Sequence, residues 1–225
     1  MKMKPLSIER IGLTMRVDQA PESSEWRDAL AQDWSEFMAY ALPEVAWMPL
    51  PNLGSKVIDY ARRWKLDGFI LTGGNDVGAC RIKDETDYAL LKHAEAGNIP
   101  VYGVCRGLQV IQKYHGGKLE ACPSSEHVAK QHQVSFAGNF NVRSLANRTK
   151  TVNSFHNWGM RLSELSPALA PLAVMDGDWV EAAHAKQGRA IAVMWHPERQ
   201  RPFQDFDRDL IRYAFGLEDP VTQFP

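Results

Sequence analysis

Apolar positions in the first half of the chain alternate between short continuous runs and longer stretches of helical periodicity. Ile11-Gly12-Leu13-Thr14-Met15-Arg16 predicts a first strand ending at Arg16, and Pro21-Glu22-Ser23-Ser24 a polar loop. Trp26, Leu30, Trp34, Phe37, Met38 and Ala41 then recur at intervals of 4, 4, 3, 1 and 3, one face of an amphipathic helix closed by Pro43. Core packing is the use expected of these aromatics. Val45 to Leu50 reads as a second strand, and Val57, Tyr60, Ala61 and Trp64 as a second helix. Gly68-Phe69-Ile70-Leu71 is a third strand running into Thr72-Gly73-Gly74-Asn75-Asp76. Asp84 is placed to cap a helix through Tyr88, Leu91 and Ala94 that stops at Gly97-Asn98. Val101 to Val104 is a fourth apolar run, followed directly by Leu108 and Ile111 at helical spacing.

Strand and helix thus alternate, which predicts a parallel sheet with helices on both faces. Ligands of such sheets sit beyond the carboxyl ends of the strands. Past Gly116-Gly117 the pattern changes to short β-like runs: Lys118 to Ala121, Val134 to Phe136, Thr151-Val152, Leu172 to Met175 and Trp179 to Ala183. These read as smaller mixed strands placed before a last buried strand, Ile191 to Trp195. Phe206, Leu210, Ile211, Tyr213 and Ala214 mark a final helix, and Asp219 to Pro225 a loose tail. The expectation is one α/β domain over 1–225, a three-layer sandwich with a mostly parallel central sheet.

Composition removes several function classes. Of 225 residues, 44% are hydrophobic and 24% charged, enough for one sizeable core. Lys and Arg total 26 against 27 Asp and Glu, a net charge of −1, so there is no basic footprint for nucleic acid. No apolar run reaches the roughly 20 residues of a membrane helix, and Met1 to Arg10 lacks the apolar core of a signal peptide. Cys80, Cys105 and Cys122 form no CxxC pair, which fits free thiols in a reducing, cytoplasmic setting. A homo-oligomer is left open.

The chemistry gathers at strand ends. Gly103-Val104-Cys105-Arg106-Gly107 is the cysteine form of a nucleophile elbow, a sharp turn that lifts the nucleophile above the sheet edge. Gly103 and Gly107 mark positions where a Cβ would collide with neighbouring backbone. The helix after Cys105 directs its amide N–H groups and positive dipole end at the sulfur, favouring thiolate. His196-Pro197-Glu198 closes the last strand. In an extended segment residues two apart face the same way, so Glu198 is expected to orient the His196 ring. Cysteine, imidazole and carboxylate make up a nucleophilic triad. The turn at Gly74 could offer a backbone N–H to a reacting carbonyl oxygen. His127 and His132, five apart with no third ligand near them in sequence, are expected at polar surface positions; no metal and no cofactor are expected.

Thr72-Gly73-Gly74-Asn75-Asp76, Gly103-Val104-Cys105-Arg106-Gly107-Leu108-Gln109 and His196-Pro197-Glu198 together resemble the class I (triad) glutamine amidotransferase-like family, over nearly the whole chain. The elbow and Val152-Asn153-Ser154-Phe155-His156-Asn157 are more similar to its γ-glutamyl hydrolase branch. The resemblance implies a flavodoxin-like fold and a small-molecule γ-glutamyl substrate attacked by Cys105. It implies His196 as acid and base, Glu198 as its orienter, and the N–H groups of Gly74 and Arg106 as oxyanion donors. Gln109 and the backbone around His156, Asn157 and Trp158 match positions that grip the glutamyl group, so His156 is expected to bind rather than catalyse. Arg16, Glu25 to Leu30 with Trp34, and Leu50-Pro51-Asn52 resemble bacterial enzymes that hydrolyse γ-glutamyl-CDP-amidate in capsular phosphoramidate synthesis. Arg16 and Arg27 would then meet a phosphoryl group. A γ-glutamyl-γ-aminobutyrate hydrolase and a glutaminase subunit serving a separate synthetase remain open alternatives.

Overall fold

The computed structural model describes residues 8–137, 142, 145, 148–176 and 178–217. The expected loose tail from Asp219 and most of the polar start lie outside these residues. In chain order the elements are β1 (Arg10–Thr14), β2 (Arg16–Gln19), β3 (Trp26–Ala29), α1 (Asp33–Ala41), β4 (Ala46–Leu50), α2 (Val57–Arg63), β5 (Gly68–Leu71), α3 (Arg81–Gly97), β6 (Val101–Val104) and α4 (Arg106–Tyr114). Then follow β7 (Glu120–Ala121), α5 (Ser124–His127), β8 (Val128–Phe136), β9 (Thr149–Phe155), β10 (Trp158–Gly159), β11 (Leu169–Met175), β12 (Trp179–Ala185), β13 (Ala190–Val193) and α6 (Asp205–Phe215).

A nine-stranded sheet runs in the order β4-β1-β5-β6-β13-β12-β11-β8-β9. The pairings from β4 through β13 are parallel; those from β13 to β9 are antiparallel. The sequence explains the split. All residues of β5 (GFIL) and β6 (VYGV) are buried, as strands covered on both faces require, whereas β8 alternates toward solvent. Side chains of the parallel strands go alternately to two core layers. Ile70, Tyr102 and Val104 pack with Trp34, Phe37, Leu210 and Phe215 from α1 and α6. Phe69, Leu71 and Val101 pack with Val57, Leu90 and Leu108 from α2, α3 and α4. The result is the expected three-layer, flavodoxin-like architecture. Among the described residues no helix is long and apolar enough to cross a membrane.

Two expectations need correction. Trp26 and Leu30 are not part of the first helix, which begins at Asp33; Trp26 is 66% exposed. Residues 16–19 and 26–29 instead form an antiparallel hairpin turning through the polar Pro21–Ser24 loop. Alternating charges support it, with Arg16 paired to Asp18 at 2.8 Å and Arg27 to Glu25 at 2.7 Å. The hairpin is also tied to the sheet edge: Asn75 exchanges two hydrogen bonds with the main chain of Val17, and Asp28 accepts from Asn52. Second, Asp84 does not cap α3. The helix starts three residues earlier at Arg81, and the Asp84 carboxylate in its first turn accepts from the Gly78 N–H. Asn98, in the left-handed region, ends it as expected.

Candidate active site

β1, β5, β6 and β13 are consecutive neighbours, so the loops leaving their carboxyl ends converge. Cys105 follows β6 with φ +52° and ψ −101°, a conformation an L residue adopts only under constraint. The constraint is visible on both sides. The Cys105 N–H donates to the Val193 carbonyl at 2.8 Å, and a Cβ at Gly107 would lie 2.3 Å from the Leu71 carbonyl oxygen. At Gly103 a Cβ would meet Ala192 at 2.8 Å, so both elbow glycines are required for close approach. Arg106 opens α4, and as its first residue it has no intrahelical acceptor for its N–H.

His196 lies beyond β13 and is 2% exposed. Its Nδ1 stands 2.6 Å from Glu198 Oε1. The intervening segment is not extended: Pro197–Arg199 form a short 3-10 turn, and the carboxylate reaches the ring across that turn. Burial alone would push the imidazole down. The Cys105 sulfur and the Glu198 carboxylate outweigh it and raise His196 to about 9. Two residues given no role from sequence fix His196. Asn153 on β9 donates to the His196 carbonyl at 2.8 Å and accepts from its N–H at 2.9 Å. Gly73 lies so close that a Cβ there would be 2.7 Å from His196 Cε1. The Asn153 signal was present in the Val152–Asn157 motif, but its partner lies 43 residues away.

Gly74 lies beside the same corner, and its N–H donates no hydrogen bond among the described residues. The Arg106 side chain does not enter the site. It turns inward to Asp84 at 2.5 Å and to Asp87, and Asp87 also faces Lys83 Nζ at 3.3 Å. Lys83 reaches Thr14 Oγ1, which in turn accepts from the Thr72 N–H. This buried network joins α3, α4 and the ends of β1 and β5, and it anchors both the elbow and the loop carrying Gly74.

On the other side of the elbow Gln109 donates to the Trp158 carbonyl at 2.8 Å, and Trp158 and Gln109 line one cavity with Val77, Lys113 and Leu119. His156 is buried, with Nδ1 3.1 Å from the Trp158 carbonyl. Asn157 is exposed, and its carbonyl accepts from Cys122 N–H. Arg16 sits at the rim, where a Cβ on Gly74 would be 2.9 Å from its own Cβ. Arg27 on β3 is exposed. The hairpin register sets Asp18 opposite Arg27, so Arg16 and Arg27 share one face. His127 and His132 are not surface residues as expected: His127 is fully buried, and both face Glu181 of β12.

The peptidase C26 family profile matches residues 11–198. Over 198 residues the chain is 28% identical to a γ-glutamyl-CDP-amidate hydrolase of Campylobacter jejuni, covering 84% of this chain and 90% of that one. It is 28% identical to a glutamine-hydrolysing GMP synthase subunit from Thermococcus kodakarensis, covering 68% and 81%. Among solved structures, a Thermoplasma acidophilum protein provisionally described as a GMP synthase subunit superposes with a TM-score of 0.68 at 21% identity, covering 94% of each chain. That likeness concerns the fold.

Proposed function

The chain belongs to the peptidase C26 family of class I glutamine amidotransferase-like proteins, and from that premise we propose that it hydrolyses a γ-glutamyl amide through a thioester on Cys105. The observation that carries the proposal is the His196 ring, engaged by Cys105 on one side and held by Glu198 at 2.6 Å on the other. The Cys105 thiolate attacks the γ-carbonyl carbon and a C–S bond forms. The oxyanion is received by the N–H groups of Gly74 and Arg106, each such donor being worth about 10²–10³ in rate. The C–N bond breaks as His196 gives its proton to the leaving nitrogen. Water enters, His196 removes a proton from it, and attack on the thioester carbon breaks the C–S bond. Glutamate leaves and the thiolate–imidazolium pair is restored. Glu198 keeps the ring oriented throughout. Gln109 and the His156–Trp158 corner hold the amino and carboxylate ends of the glutamyl group.

The leaving group proposed is nucleotide-linked, as in γ-glutamyl-CDP-amidate, with a place in capsular phosphoramidate synthesis. Arg16 beside Gly74 and Arg27 on the same hairpin face support it, as does the similarity to the Campylobacter hydrolase. In that reading a phosphoryl group exchanges for Asp18 and Glu25 as the arginines' partner. Similarity to the GMP synthase subunit supports a second reading, a glutaminase subunit that passes ammonia to a synthetase. Glutamate release from glutamine, γ-glutamyl-γ-aminobutyrate and γ-glutamyl-CDP-amidate separates them. Fast release only from the nucleotide conjugate is expected. Release confined to γ-glutamyl-γ-aminobutyrate contradicts the nucleotide reading, and slow release from glutamine alone moves the protein to the second one.

A further inference from the structure

The antiparallel half of the sheet holds a second buried constellation, which shares His156 with the glutamyl-binding corner. His127 ends α5, His132 lies in β8, His156 follows β9, and Glu181 lies in β12. Glu181 and His127 are fully buried and His156 is 3% exposed. Around the one carboxylate, His132 Nε2 stands at 3.3 Å, His156 Nε2 at 3.5 Å and His127 Nδ1 at 3.8 Å. These separations are longer than the ~2.7–2.9 Å of a charge-assisted hydrogen bond. Both ring nitrogens of His127, Nε2 of His156 and both Glu181 oxygens are buried with no hydrogen-bond partner. Such a concentration of buried polar atoms calls for a physical cause.

The donor set narrows the cause. His127, His132 and Glu181 each offer one ligand atom, and these atoms lie within 4.8 Å of one another with no hydrogen-bond partner. A cation among them would engage all three. A tetrahedral metal with bonds of about 2.0–2.2 Å sets its ligand atoms about 3.3–3.6 Å apart; His132 Nε2, 3.3 Å from Glu181, meets that spacing, and His127 Nδ1, at 3.8 Å, comes near it.

We propose that His127, His132 and Glu181, whose ligand atoms all lie within 4.8 Å of one another, form a binding site for a divalent transition metal of the zinc type. Two imidazoles and one carboxylate would supply three of the metal's positions, joining α5 and β8 to β12. Cys122 lies outside the set, because its sulfur faces the His156 nitrogen that already serves Trp158. The site stands independently of the reaction proposed above.

The test is metal content and Co²⁺ spectroscopy on the full chain, purified without a polyhistidine tag and dialysed against chelator. Zn²⁺ should rebind at one equivalent per chain and raise the melting temperature. Co²⁺ should give tetrahedral d–d absorption without a thiolate charge-transfer band. Glu181→Gln and His132→Ala should each weaken Zn²⁺ binding by more than the roughly 10–100-fold that loss of a second-shell partner costs. Cys122→Ala should bind as wild type does. His132 is the less buried ligand, so its variant keeps the test open if Glu181→Gln fails to fold. Wild type that binds no more Zn²⁺ than folded His132→Ala overturns the proposal, leaving protonated histidines around Glu181. A charge-transfer band lost in Cys122→Ala overturns the ligand set.

Discussion

In the parallel half of the sheet, buried charges meet opposite charges at close range; in the antiparallel half, three imidazoles surround one carboxylate at 3.3–3.8 Å. Arg106 binds Asp84 and Asp87, Lys83 faces Asp87, and His196 holds Glu198 at 2.6 Å. Two buried histidines show the consequence. His196 is raised to about 9 by its sulfur and carboxylate neighbours despite burial. His127 is lowered to about 4, first by burial and then by His156, with Glu181 opposing weakly. A buried ring keeps its proton only where opposite charge is close enough to offset desolvation. One half of the sheet therefore holds its buried charges in close opposed pairs. In the other, one carboxylate shared among three imidazoles does not offset burial at His127.

The largest expected effect comes from removing the sulfur. Cys105→Ala should lower glutamate release by at least about 10³-fold, as loss of a covalent nucleophile does, with the fold intact by circular dichroism. Next comes the network beneath the elbow. Asp87→Ala strands Lys83 and half of Arg106 in the core and should cost about 3–5 kcal/mol in urea unfolding, the range for breaking a buried ion pair. A cost under about 1 kcal/mol, the worth of an exposed pair, would erase the contrast between the two halves.

Asn153→Ala should act more narrowly. It removes two hydrogen bonds that hold the His196 main chain, each worth about 0.5–1.5 kcal/mol. The expected result is kcat lower by about tenfold with KM nearly unchanged. A rise in KM alone would assign Asn153 to substrate binding instead.

The smallest effect is on pH. The folded-state pKa of His196, about 9, lies above the ordinary 6.5. Its contribution to stability is thus fully present below pH 6.5 and disappears as pH rises through about 9. Unfolding midpoints should fall across that window. The fall should shrink in Cys105→Ala, because the sulfur supplies the leading upward influences on the ring.

The elbow, the Gly73-Gly74 turn and the His196–Glu198 pairing were readable because each lies within a few consecutive residues at a strand end. The parallel topology was readable for a similar reason: β5 and β6 are continuous apolar runs. The β2–β3 hairpin was hidden because Trp26, Leu30 and Trp34 happen to fall at helical intervals, while ion pairs two residues apart hold the segment extended. Asn153 and the Glu181 cluster were hidden by distance. Glu181 lies 25 residues beyond His156, and only the pairing of β8, β9, β11 and β12 brings them together. A signal did exist: a lone carboxylate inside Trp179–Ala183, a run otherwise fit for the core.

The central claim is covalent catalysis by Cys105. Its most direct test is mass spectrometry of enzyme quenched during turnover of a γ-glutamyl amide. A γ-glutamyl adduct on the peptide containing Cys105, and on neither Cys80 nor Cys122, is the predicted result. Turnover that persists undiminished in Cys105→Ala, or an adduct on another residue, would contradict the account.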